Sequence, residues 1–63
     1  MSKLAEIRQK NGLSQSQLAK ISGVKVSMIQ FYEQGVKDIN KAQAMTVKKL
    51  AQALGCAMED LID

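Results

Sequence analysis

The segment "LSQSQLAKISGVKVSMIQFYEQG", residues 13–35, decides the fold. It holds two short helix-forming stretches separated only by "GVK" at Gly23–Lys25 and stopped by Gly35. The first opens on "SQSQ", where Ser14 can cap a helix while Gln17 reaches back to close a capping box. Its inward side is Leu18 and Ala19, completed by Ile21 or Ser22 before Gly23 breaks the helix. The second stretch runs from about Val26 to Gln34, with Val26, Ile29 and Tyr32 on its apolar side. Its other side carries Ser27, Gln30, Phe31 and Gln34, so a large aromatic ring stands where a small protein should show water only polar groups.

The rest of the chain repeats the helical pattern. A helix over about Ser2 to Lys10 aligns Leu4, Ile7 and Arg8, and Asn11-Gly12 ends it. After Gly35, "VKDINKAQ" is a connection with one helical turn near Asn40–Ala42. "AMTVKKLAQALG" then aligns Val47, Leu50, Ala51 and Leu54, with Gly55 as a left-handed stop. A last short helix, Met58 to Ile62, brings Leu61 and Ile62 onto the bundle, with Glu59 and Asp60 in its first turn where the helix dipole favours them. There are no internal repeats, linkers or low-complexity segments. The expectation is an all-α fold, a compact bundle of four to five short helices in one domain spanning 1–63.

Size and composition narrow the function classes. A chain of 63 residues buries only about 60% of its unfolded surface, so its apolar residues must share one small core. No run approaches the ~18 apolar residues of a membrane span. The start "MSKLAEIRQKNG" is too polar for a signal peptide, which makes the cytoplasm the expected location. One cysteine excludes an internal disulfide, and without histidine a zinc site has too few ligands. Cys56 reads as a small buried hydrophobe. No cofactor is implied, and no paired acids, histidine or metal set supports an enzyme. The lysines are scattered over several short helices, which argues against attachment to a membrane surface.

Charge is unevenly placed. Residues 1–58 hold all nine Lys and Arg against Glu6, Glu33 and Asp38, a net +6, whereas "EDLID" adds Glu59, Asp60 and Asp63. A basic body with an acidic end suits a polyanion approached from one side. Two charges also stand in apolar stripes: Arg8 follows Leu4 and Ile7, and Glu33 lies four residues from Ile29. Burying either alone costs several kcal/mol, so the simplest solution is that they meet, the guanidinium forking onto the carboxylate.

Two short helices joined by a tight glycine-started turn form the helix-turn-helix plan, in which the second helix lies in the DNA major groove. Here the sequence resembles the Xre-like helix-turn-helix domains of bacterial and phage repressors, the group of Cro and the lambda repressor. "LSQ", "LA…SGV", "I..YE.G", "KLAQALG" and "EDLI" stand in register over about Leu4 to Ile62. The resemblance also implies the Arg8–Glu33 pair. It implies that Gln15 binds a phosphate through its side-chain amide and that Gln34 does likewise. Val26, Ser27 and Phe31 would meet base edges, with Lys25, Met28 and Gln30 at the margins, and Lys37 and Lys41 beside the backbone.

Two departures from the family pattern matter. Lys25 occupies the capping position of the reading helix, commonly Ser or Thr, and cannot accept a backbone hydrogen bond. Val26 and Phe31 replace the usual Gln or Arg, and no arginine is available to fork onto guanine. Readout then rests on Ser27, on Gln30 toward adenine, and on apolar contact of Val26 or Phe31 with thymine methyls. An A·T-leaning site is expected. For Phe31 two other roles stay open: an anchor for a protein partner, or a ring folded against Met28 or a neighbouring surface.

The leading reading is a sequence-specific transcriptional regulator of double-stranded DNA, a repressor working as a homodimer on half-sites about one helical turn, ~34 Å, apart. No dimer surface is evident; the candidates are Asp38–Asn40 and Cys56–Met58. The alternative is a protein-interaction module on the same scaffold, such as an antitoxin or anti-repressor, favoured by the apolar reading helix and the scarcity of arginine.

Overall fold

Side-chain caps start the first two helices, and left-handed glycines end the last three of the four. The computed structural model describes residues 2–62. Helix α1, Lys3–Lys10, starts after Ser2, whose Oγ accepts a hydrogen bond from the Ala5 N–H at 3.0 Å. Helix α2, Gln15–Ser22, starts with the full capping box: the Gln17 N–H donates to Ser14 Oγ at 3.0 Å, and the Ser14 N–H donates to Gln17 Oε1 at 2.7 Å. Helix α3, Val26–Gln34, and helix α4, Ala44–Leu54, have no side-chain cap at their N-termini. Between them lies a single 3-10 turn, Ile39–Lys41, started by Asp38 accepting from the Asn40 N–H at 2.9 Å.

The core takes one fully buried aliphatic side chain from each helix and one from the C-terminal segment: Leu4, Leu18, Ile29, Leu50 and Leu61. Val24, Tyr32, Val47, Ala51 and Leu54 pack around them in the same cluster. Full burial of such a side chain contributes about 1.5–3 kcal/mol, so these few residues supply most of what holds so short a chain together. Helix α2 packs against both α3 and α4, and α1 packs against α3. The pair α2–α3 is therefore braced from both sides.

Three expectations about burial and helix length need correction. Ile21 is 58% exposed, and neither it nor the half-buried Ser22 completes the inward side of α2. Gly23 takes φ 76°, the left-handed region, and folds the chain back so that Val24 enters the core there, its N–H donating to Ser22 Oγ at 3.1 Å. Val26 does not share the buried stripe of Ile29 and Tyr32; it is 37% exposed, because it opens its helix just after Val24 has filled that edge of the core. The last helix is shorter than expected, a single 3-10 turn at Met58–Asp60. It still delivers Leu61 to the core, while Ile62 stays half-buried against it.

Cys56 is likewise only partly buried, packed against the core cluster. That burial, with the nearby charge of Asp60, pushes its thiol pKa up.

The conformation at Gly23 yields a test. A Cβ there would meet no atom within 4 Å, so the cost of Gly23→Ala is the left-handed backbone alone. That cost is about 1–2 kcal/mol. For a domain of this size thermal unfolding should fall by at least about 4–8 °C, read by circular dichroism.

Candidate nucleic-acid interface

Helix α3 is two-sided. Ile29 and Tyr32 are buried; Ser27 and Gln34 are exposed, Gln30 is half-buried, and Val26 and Phe31 are each 37% exposed. With nine residues it is about 13 Å long, at ~1.5 Å per residue, a rod that a major groove ~12 Å wide can admit. Two grooves border it. One, at the turn, is lined by Ser16, Ala19, Gly23, Val24, Lys25 and Val26. On the other side, Lys37 and Lys41 line a groove together with Met28, Tyr32 and Asp38.

Phe31 is not folded into the core. The Lys37 ammonium stands 6.0 Å from its ring centroid, at the outer limit of a cation–π contact. The backbone makes this possible. Gly35 ends α3 in the left-handed region, and the N–H groups of Val36 and Lys37 donate back to the Phe31 carbonyl at 2.9 and 3.2 Å. That wrap returns Lys37 toward the ring it follows by six positions. Met28, expected at the margin of the base-reading set, packs partly against the core, so only part of its side chain is available to a ligand.

Arg8 and Glu33 meet as a fork. Arg8 Nε donates to Glu33 Oε2 at 2.7 Å and Arg8 Nη2 to Glu33 Oε1 at 3.0 Å, with the two side chains only 12% and 7% exposed. The hydrogen bond to Glu33 raises the Arg8 pKa, outweighing the opposing effect of burial. Arg8 Nη1 reaches further, to the Leu13 carbonyl at 2.8 Å, and so pins the chain just before α2. Gln15 joins from the first position of α2: its Nε2 donates to Glu33 Oε1 at 3.0 Å. One carboxylate therefore receives donors from α1 and α2 while itself belonging to α3.

Sequence reasoning paired Arg8 with Glu33 but missed Gln15 on the same oxygen. The two residues lie eighteen positions apart on different helices, and no local spacing signals their contact. The approach of Lys37 to the Phe31 ring was also missed, although the glycine stop between them was a usable clue.

Among the described residues no group of three His, Cys, Asp or Glu side chains could hold a metal ion. Nor, among those residues, is any helix long and apolar enough to cross a membrane.

A family model described as helix-turn-helix matches residues 4–61. The chain belongs to that family, the DNA-binding helix-turn-helix regulators of the Xre and lambda-repressor type, which are generally non-enzymatic. Searches of curated proteins and of solved structures gave no match.

The ion pair predicts an asymmetry between two variants. Arg8→Met strands a largely buried carboxylate and should lower stability by about 3–5 kcal/mol, whereas replacing both partners by methionine should cost far less. Urea midpoints of the two proteins measure the difference.

Proposed function

We propose that the protein is a sequence-specific transcriptional repressor that binds double-stranded DNA as a homodimer, with α3 in the major groove. The observation that carries this reading is the uncovered flank of α3. Ser27 and Phe31 project from a helix whose opposite side is fixed in the core, so they can enter a groove without disturbing the fold. Val26, Ser27, Gln30 and Phe31 read bases. Ser27 supplies a hydroxyl that can donate or accept, Gln30 an amide suited to adenine, and Val26 and Phe31 apolar contact with thymine methyls. Gln15, Lys25, Gln34, Lys37 and Lys41, with the exposed part of Met28, lie along the phosphate backbone.

Affinity and specificity then come from different atoms. Lysine contacts with phosphate bind any sequence and weaken as salt displaces them. Discrimination comes from a few weak groove contacts, since no arginine is present on α3. An A·T-leaning operator with modest selectivity follows. One observation favours a second reading, a protein-interaction module: Ile21, Val26 and Phe31 are all exposed apolar side chains on α2 and α3.

Selection of duplexes from a random pool distinguishes the two. Enrichment of A·T-rich half-sites about one helical turn apart is the expected result, and no enrichment even at low salt would favour the protein module. Affinity should fall steeply between roughly 50 and 200 mM salt, and Lys37→Ala should reduce the slope of log K against log salt by about 0.9. Phe31→Ala should leave the fold intact and lose about fourfold preference for thymine over cytosine, from the ~0.8 kcal/mol of one buried methyl-sized group. Unchanged selectivity would mean that α3 is oriented differently.

A further inference from the structure

We infer that the Arg8–Glu33 pair is a positioning device for Gln15: Glu33 holds the Gln15 side-chain amide in the orientation in which it meets DNA phosphate. This rests on the DNA reading above and assigns a role in binding to a pair otherwise explained by stability alone.

The geometry is specific. A primary amide has two N–H donors. One Gln15 N–H is spent on Glu33 Oε1 at 3.0 Å. The two N–H bonds of a planar amide diverge, so fixing one fixes the direction of the other, which remains available to a ligand. Glu33 cannot drift with Gln15, because both of its oxygens are held by Arg8, and Arg8 is held in turn by the Leu13 carbonyl. The chain of contacts therefore runs from a carbonyl just before α2, through α1 and α3, back to the first residue of α2.

A free glutamine side chain loses rotamer freedom when it orders on a ligand. Ordering it beforehand removes that loss from the binding step. The expected benefit is about three- to tenfold in affinity, the same for every sequence, since a phosphate contact carries no base information.

The test is a cycle of variants: wild type, Gln15→Ala, the double variant Arg8→Met/Glu33→Met, and the triple variant. The double variant keeps net charge unchanged, so its salt-dependent attraction to DNA is not altered by charge count. Replacing both partners also avoids stranding a buried ion. Binding is measured to one mixed-sequence duplex about two helical turns long, at low salt, with thermal melts showing each protein folded. The double variant should bind about three- to tenfold more weakly than wild type, with base preference unchanged, and that loss should vanish when Gln15 is already alanine. An equal loss in the alanine background, or no loss at all, would overturn the inference.

Should the double variant fail to fold, the wild-type protein still decides the matter. Side-chain couplings of Gln15 measured by nuclear magnetic resonance should report one rotamer in the free protein, and averaging over several would refute the device. A wild type that forms no complex with any duplex would instead remove the DNA reading, while the coupling measurement would still show whether the amide is held.

Discussion

The carboxylate of Glu33 is the point on which the arrangement of the first three helices turns. It is almost wholly withdrawn from water, and a charge so placed costs several kcal/mol unless its oxygens are satisfied. Three donors from two other helices satisfy them. Hydrophobic burial is non-directional and would tolerate many ways of stacking Leu4, Leu18 and Ile29. A forked guanidinium on one carboxylate has a defined plane and length, and it ties α1 to α3 at one point. The core makes the bundle stable, and the buried carboxylate gathers donors from α1 and α2 onto α3.

On the DNA reading proposed above, the exposed flank of α3 acts as part of the frame that the core holds. Val26 and Phe31 are apolar and Ser27 is small, so none of them can bind strongly alone. Held together on a rod, with lysines in the turn before it and the loop after it, they form one continuous surface, which the proposed reading brings to a duplex. Lys37 stands beside the Phe31 ring, its ammonium 6.0 Å from the centroid. The acidic residues at the C-terminal end lie on a different segment, near Leu61 and away from α3 in sequence.

Much of this was legible in the sequence, for reasons that differ by element. The capping box at Ser14 and Gln17, the four buried positions of α4 and the glycine stops are local patterns, and local patterns survive folding. Arg8 and Glu33 could be paired because an unpaired ion in an apolar stripe is too costly to leave alone. Ile21 and Val24 could not be told apart by periodicity, because the left-handed Gly23 resets the direction of the chain between them. Gln15 on Glu33 was invisible for a related reason: it depends on how far α2 sits from α3, which only the assembled core determines. On α3, the outward positions of Ser27, Phe31 and Gln34 were readable from helical spacing, whereas Gln30 of the same set is half-buried, and the depth of Met28 and the return of Lys37 were set by packing and by the wrap after Gly35.

The measurement that bears most directly on the whole account is a backbone amide titration of isotope-labelled protein with a selected duplex, followed by nuclear magnetic resonance. Shifts concentrated at the start of α2 and along Val26 to Lys37, with Val47 to Ile62 nearly silent, are what the uncovered flank of α3 requires. Shifts centred instead on Cys56 to Ile62, with Ser27 and Phe31 unmoved, would mean that a different face of the molecule meets its ligand.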